Sequence, residues 1–264
     1  MDGALDTPLT TGQDDHLGTA QPGANPHGDA PVLIRRKEEL MHFPRGPELT
    51  PRDTDILCWL GRHGLATPEQ VARRFFHSTW AAYRRLRKLE AMALIRRDRS
   101  FWKAPSVLRL TTAGVRVADA GVGPAELVLA EVRHALALVD LTEALLAAHP
   151  GATLVTEREF RAAQLRALRD GTGRRPGRIP DGVLQLPPDE GETRVALELD
   201  LTSKRAYAIT RIIGAYTQLF SATPTDDGFG AVWWYVLPGM VERVREIVQE
   251  ARALDFIDVR EWEP

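Results

Sequence analysis

The sequence is poor in cysteine, in long apolar runs and, over its first 34 residues, in positive charge. Its single cysteine, Cys58, excludes an internal disulfide framework and a cysteine zinc site. No apolar run approaches the roughly 20 residues that cross a bilayer, and the N-terminus lacks the basic and apolar regions of a signal peptide. These absences predict a cytoplasmic protein that does not use a membrane as a partner.

Charge is unevenly distributed along the chain. Residues 1–34 contain five aspartates, no lysine or arginine and few large apolar side chains, which predicts a disordered leader. Residues 35–120 carry 18 Lys or Arg against 9 Asp or Glu, whereas residues 121–264 carry 16 against 22. The net charge of -2 therefore hides a middle segment of net charge +9, which is the candidate nucleic-acid surface.

Helix-start signals recur in the basic segment. Thr50-Pro51 and Thr67-Pro68 each place a capping threonine before a proline at the first helical position, and Ser78 caps a third helix. Two short strands around a polar tip and a further short helix follow, with Leu110-Thr111 at the last strand-to-helix step. This order resembles a winged helix-turn-helix domain, which we expect over residues 35–120.

The third helix carries a cationic stripe opposite its apolar positions, because each residue rotates the helix by about 100°. In a helix-turn-helix this element enters the major groove, where arginine reads guanine and lysine contacts phosphate. The predicted DNA contacts are Trp80, Arg84, Arg85, Arg87 and Lys88 on the helix, and Arg96, Arg97, Arg99 and Lys103 around the wing. The alternative is a winged helix that binds protein.

The C-terminal half alternates between helices and strands, which indicates an α/β domain over residues 125–264. A long Ala- and Leu-rich helix is expected over 125–148, and an extended segment ending at Glu157 follows it. Further on, two apolar runs form a predicted hairpin that brings Asp181 and Glu198 together. Such hard oxygen ligands suit Mg²⁺ or Mn²⁺.

Pro180-Asp181 and the later Glu198 resemble the PD-(D/E)xK nuclease superfamily, whose acids hold one or two divalent ions for phosphodiester cleavage. The resemblance implies Asp181 and Glu198 as metal ligands and Glu157 as a third. Asp200 stands where the superfamily has a lysine, so Asp200 becomes an extra ligand and Lys204 the candidate to supply the missing ammonium. Arg174, Arg175 and Arg178 precede this segment and could grip the flanking phosphates, or form a solvated loop.

The whole pattern defines a mixed α/β protein, with an N-terminal winged helix-turn-helix followed by a PD-(D/E)xK restriction-endonuclease-like domain. Leu49-Thr50-Pro51-Arg52-Asp53, Pro180-Asp181 and Glu198-Leu199-Asp200 make the chain similar to the actinobacterial replication-relaxation family. The resemblance implies a protein of plasmids or integrating mobile elements that acts in their replication, relaxation or transfer. The basic middle segment predicts double-stranded DNA as its partner.

Two functions stay open. The first is a metal-dependent nicking or cleaving endonuclease in which Asp181, Glu198, Asp200 and Lys204 carry the chemistry. The second is a non-catalytic DNA-binding replication or transcription factor with a degenerate nuclease-like domain. An ordinary α/β domain with solvated acids is the alternative to the nuclease-like fold itself. A homodimer and replication or transfer proteins are the further partners to consider.

Overall fold

The computed structural model describes residues 48–99, 106–172, 178–190, 193–221 and 228–263. The predicted leader, Lys103, Arg174 and Arg175 lie outside these residues. In the described part of the chain, no helix is long and apolar enough to cross a membrane.

Three helices open the described chain, as their cap signals predict. α1 spans Pro51–His63, α2 spans Pro68–Phe75 and α3 spans Thr79–Ala91. Thr50 and Thr67 each form a capping box, in which the threonine hydroxyl accepts from the third helical N–H and that residue's side chain accepts from the threonine N–H. These reciprocal bonds satisfy N–H groups that the first helical turn leaves without partners.

A two-stranded antiparallel ribbon follows. β1 spans Ile95–Asp98, β2 spans Val107–Leu110, and the short helix α4 covers Thr112–Ala118. Gly114 in α4 would place a Cβ 1.9 Å from the Leu94 carbonyl oxygen, so only glycine lets α4 approach the ribbon this closely. The ribbon and the helices share one apolar core, which includes Ile56, Leu60, Leu86, Leu89 and Leu108.

A five-stranded mixed sheet and its associated helices form the rest of the described chain. Its elements are α5 Val132–Ala148, β3 Thr153–Thr156, α6 Glu157–Arg169, β4 Gly182–Gln185, β5 Arg194–Asp200, α7 Ala206–Ser221, β6 Ala231–Val236, α8 Val241–Glu250 and β7 Ile257–Glu261. The strand order is β3-β4-β5-β6-β7. The β3/β4 and β4/β5 pairs are antiparallel, whereas the β5/β6 and β6/β7 pairs are parallel.

Helices cover both faces of the sheet. Alternate residues of β5 point to opposite sides, as the period of a strand requires. Leu197 and Leu199 pack with Leu141 of α5, whereas Ala196 packs with Ile213 of α7 and with α8. The predicted α/β class is therefore confirmed as a mixed α/β protein with two sheets.

Two differences from the sequence expectations concern element limits. The helix expected from residue 125 begins at Val132. Side chains from other elements bind two carbonyls of the segment that precedes it. Arg109 donates to the Ala125 carbonyl at 3.0 Å, and Arg158 donates to the Gly123 carbonyl at 2.5 Å. The last strand, β7, was not expected at all.

The α1–α4 region and the sheet region make direct contacts. Trp59 Nε1 donates to Glu143 Oε1 at 2.8 Å, and Arg62 Nε lies 2.7 Å from Glu159 Oε1. Gln70 Nε2 also donates to the Leu136 carbonyl at 2.8 Å. The described residues on both sides of the expected boundary thus belong to one compact unit, Arg45–Pro264.

Candidate functional site

The outward face of α3 carries exposed aromatic and cationic side chains. Trp80 is 68% exposed, and the Arg84 guanidinium lies 4.8 Å from the centroid of its ring. Arg87 and Lys88 are also exposed. Within the described part of the chain, none of these three cations pairs with an acid. The opposite face of α3, formed by Ala82, Leu86 and Leu89, is buried. We call the exposed set the α3 stripe; it consists of Trp80, Arg84, Arg87 and Lys88.

A groove of about 510 Å³ runs between the start of α1 and the α3 stripe. Arg52, Arg84 and Lys88 line it, and the Arg52 guanidinium lies 5.3 Å from the Phe76 ring centroid. The groove joins cations from two helices on one surface. Such a surface suits a row of phosphates.

Arg85 was expected to contact a phosphate, but its guanidinium forms an ion pair with a buried acid of the same protein. Its Nε donates to Asp53 Oδ1 at 2.5 Å, and its Nη2 pairs with Asp53 Oδ2. The Asp53 side chain is completely buried. Burial opposes ionisation of Asp53, but hydrogen bonds from Arg85 and Thr50 outweigh it and hold its pKa below the usual value. Arg85 therefore ties α3 to α1.

The arginines of the ribbon divide into buried and exposed groups. Arg97 is only 6% exposed, lies 5.4 Å from the Tyr83 ring centroid and pairs with Glu90 at 3.5 Å, so its side chain packs inside and is not an accessible surface cation. Arg96 Nε lies 3.0 Å from Asp98 Oδ1 with its side chain 64% exposed, and Arg99 is exposed. Of the expected ribbon contacts that the structure describes, only Arg96 and Arg99 are accessible.

Asp181 lies immediately before β4, beside the stretch of β5 that continues past the start of β4 and is paired only with β6. Its backbone N–H donates to Leu197 O at 2.9 Å, and its Oδ2 accepts from the Leu199 N–H at 2.8 Å. His134 Nε2 donates to the Leu199 carbonyl at 3.0 Å and lies 3.3 Å from Asp181 Oδ2. On the β4 side of Leu199, Asp181 and His134 thus bind the backbone groups that no strand pairs. The hydrogen bond with Asp181 raises the pKa of His134, against the effect of burial.

Glu198 is 1% exposed and is bound on the α7 side of the sheet. Arg178 Nε donates to its Oε1 at 2.8 Å, Arg178 Nη2 binds its Oε2, and the Tyr216 hydroxyl donates to Oε1 at 2.6 Å. Burial raises the pKa of the Glu198 carboxyl to about 7, and hydrogen bonds from Arg178 and Tyr216 act against this rise. Glu198, which was expected to bind a metal ion, therefore binds Arg178, which was expected to contact a phosphate.

Asp200 shares that face of β5, as its spacing from Glu198 predicts. The Lys204 ammonium binds its Oδ1, and Trp234 Nε1 donates to its Oδ2 at 3.2 Å. Lys204 lies in the segment between β5 and α7, which begins at Ala206. It neutralises a buried acid, Asp200 being 7% exposed.

The described acids do not fit a Mg²⁺ or Mn²⁺ site as they are arranged. Among the described residues, no three His, Cys, Asp or Glu side chains group as a metal ion would require. Glu198 and Asp200 each already bind a cationic side chain. Glu157 belongs to the first turn of α6, not to a strand, and pairs with Arg161.

Several partners in these contacts are not evident from the sequence. Asp53, His134, Tyr216 and Trp234 each bind a residue that was expected to contact DNA or metal. Tyr216 of α7 and Trp234 of β6 are both fully buried. Each donates to an acid of β5 that belongs to another element, so a local sequence pattern does not show the pairing.

A comparison with models of protein families places the chain among known proteins. A family model described as Replication-relaxation matches residues 57–232. The match begins inside α1 and ends inside β6, so it covers both the α3 stripe and the acids around β5. A comparison with curated proteins gave no match.

Proposed function

The chain belongs to the replication-relaxation family, and from this premise we propose that it binds double-stranded DNA in the replication or relaxation of a plasmid or other mobile element. The α3 stripe is the proposed contact surface. The order of three capped helices, a ribbon and a short helix supports a winged helix-turn-helix assignment for this region.

The observation that carries the proposal is the contrast within α3 itself. Arg85 points inward to Asp53, whereas Arg84, Arg87 and Lys88 remain exposed without a described acid partner. An exposed cationic helix face next to an exposed tryptophan suits the phosphates and base edges of a duplex. Protein binding would not by itself require three unpaired cations.

The test measures duplex affinity at several salt concentrations by fluorescence anisotropy. Arg84→Ala combined with Arg87→Ala should weaken binding and reduce the steepness of the salt dependence by up to about 0.9 per lost phosphate contact. The matched control is Arg116→Ala with Arg166→Ala, which removes two exposed arginines from α4 and α6. Equal affinity and salt dependence in the two double variants would contradict the proposal.

Metal-dependent nicking is the second candidate, favoured by one observation. Gly182 pairs with Leu197 in the β4/β5 ladder, so Asp181 lies beside Glu198, as the nuclease resemblance requires. The contacts of Glu198 and Asp200 with Arg178 and Lys204 count against it. For this reason the proposed function is DNA binding without cleavage by these residues.

A nicking assay on supercoiled plasmid separates the two candidates. We expect no nicked product with Mg²⁺ or Mn²⁺ from the intact protein, measured by agarose electrophoresis. Cleavage that disappears in both Asp181→Ala and Glu198→Ala, while circular dichroism shows both variants folded, would establish the nuclease instead.

A further inference from the structure

A basic groove of about 260 Å³ lies along α7 from Ala208 to Ala215. Its cationic lining consists of Arg178, Lys204 and Arg211. Ala208 and Ala215 are the small residues that α7 presents to it. This groove is distinct from the α3 stripe, because every residue that lines it belongs to the sheet region.

Buried acids hold two of the three cations from below. Arg178 uses Nε and Nη2 to bind Glu198, which leaves its Nη1 without a hydrogen bond to any described residue. Lys204 makes one ion pair, with Asp200. Arg211 is exposed and pairs with no acid in the described part of the chain. The groove thus offers N–H groups from three cations while the acids lie beneath them.

We propose that this groove binds a phosphate of the DNA backbone, and that Glu198 and Asp200 position Arg178 and Lys204 for that contact instead of binding a metal ion. The inference deepens the proposed function and rests on it for the identity of the ligand. The protein then holds DNA at two places, the α3 stripe and the α7 groove.

Glu198 and Asp200 favour phosphate binding because they hold the Arg178 and Lys204 side chains in place. A guanidinium already fixed by a bidentate carboxylate loses little further side-chain freedom when its remaining N–H groups bind an oxyanion. The small Ala208 and Ala215 side chains let a phosphate approach the helix. A divalent cation, by contrast, would have to displace both bound cations from Glu198 and Asp200 and would meet their repulsion.

The primary test substitutes Arg211, which supports no described partner and can be removed without exposing a buried charge. Arg211→Ala should weaken duplex binding severalfold in EDTA and reduce the steepness of the salt dependence by about 0.9, the value for one phosphate contact. Arg252→Ala is the control. It follows α8, which returns from the carboxyl end of β6 to the start of β7, so Arg252 lies at the opposite end of the sheet from Asp200. A slope unchanged in Arg211→Ala, or reduced equally by Arg252→Ala, would overturn the proposal.

The same variant in the Arg84→Ala and Arg87→Ala background separates the two DNA contacts. If Arg211→Ala lowers duplex affinity both in the intact protein and in the double variant, the result supports the α7 groove, even if the α3 substitutions themselves have no effect. Loss only from the α3 substitutions overturns the groove and leaves the proposed function intact.

Calorimetric titration with MnCl₂ tests the role assigned to the acids. We expect no saturable Mn²⁺ binding that depends on Glu198. Binding by the intact protein that is lost in a folded Glu198→Gln variant would overturn the assignment of Glu198 as a positioning residue.

Discussion

The α3 stripe and the α7 groove are both cationic, but they are built differently. Arg84, Arg87 and Lys88 stand on a helix face with no described acid beside them. Arg178 and Lys204 each bind an acid that is buried on β5. Positive charge in the sequence therefore does not by itself mark a free binding surface. Where a buried acid binds the cation, as Glu198 binds Arg178 and Asp200 binds Lys204, the cation also stabilises the fold.

The largest expected effect compares one arginine from each setting. Arg178→Met should lower the free energy of unfolding by about 4 kcal/mol, because it leaves Glu198 buried without its cation. Arg84→Met should change it by less than about 0.5 kcal/mol, because Arg84 is exposed and has no acid to abandon. Urea unfolding at neutral pH measures both values. Similar losses in the two variants would erase the distinction between the surfaces.

The second effect concerns the inward arginine of α3. Asp53→Asn should cost about 3 kcal/mol at pH 7, because Arg85 then lacks its buried partner. The folded pKa of Asp53 is lowered, so its stabilisation is present above the unfolded value near 3.8 and is lost as pH falls through the folded pKa. The stability difference between the intact protein and Asp53→Asn should therefore shrink below pH 4. A difference that stays constant from pH 7 to pH 3 would show that the ionised carboxylate is not what stabilises the pair.

Local signals in the sequence predict the start of each N-terminal helix. Thr50, Thr67 and Ser78 cap the helices that they were expected to cap, because a cap depends on residues within one turn. The β4/β5 hairpin is similarly local, and its register follows from two apolar runs and a turn. Alternation also places Glu198 and Asp200 on one face of β5.

Contacts between distant residues explain what the sequence does not predict. Rotation around α3 places Arg85 near the edge of the cationic face, but the buried Asp53 that binds it lies on another helix. His134 meets Asp181 only because α5 packs against the sheet near the start of β4. For the same reason, the sequence predicted a phosphate contact for Arg178 but did not predict its ion pair with Glu198. An acid and a cation in separate elements become partners only through tertiary packing.

The smallest expected effect concerns Glu157, the acid once expected as a third metal ligand. It pairs with Arg161 one turn later on α6, and the two side chains are 35% and 57% exposed. An exposed pair of this spacing contributes about 0.3–0.5 kcal/mol, so Glu157→Gln should lower the free energy of unfolding by no more than that. The variant should also leave duplex affinity in Mg²⁺ and in EDTA unchanged, as anisotropy would measure. If Glu157→Gln lost affinity in Mg²⁺ but not in EDTA, Glu157 would be a metal ligand. Its role would then go beyond the exposed ion pair with Arg161.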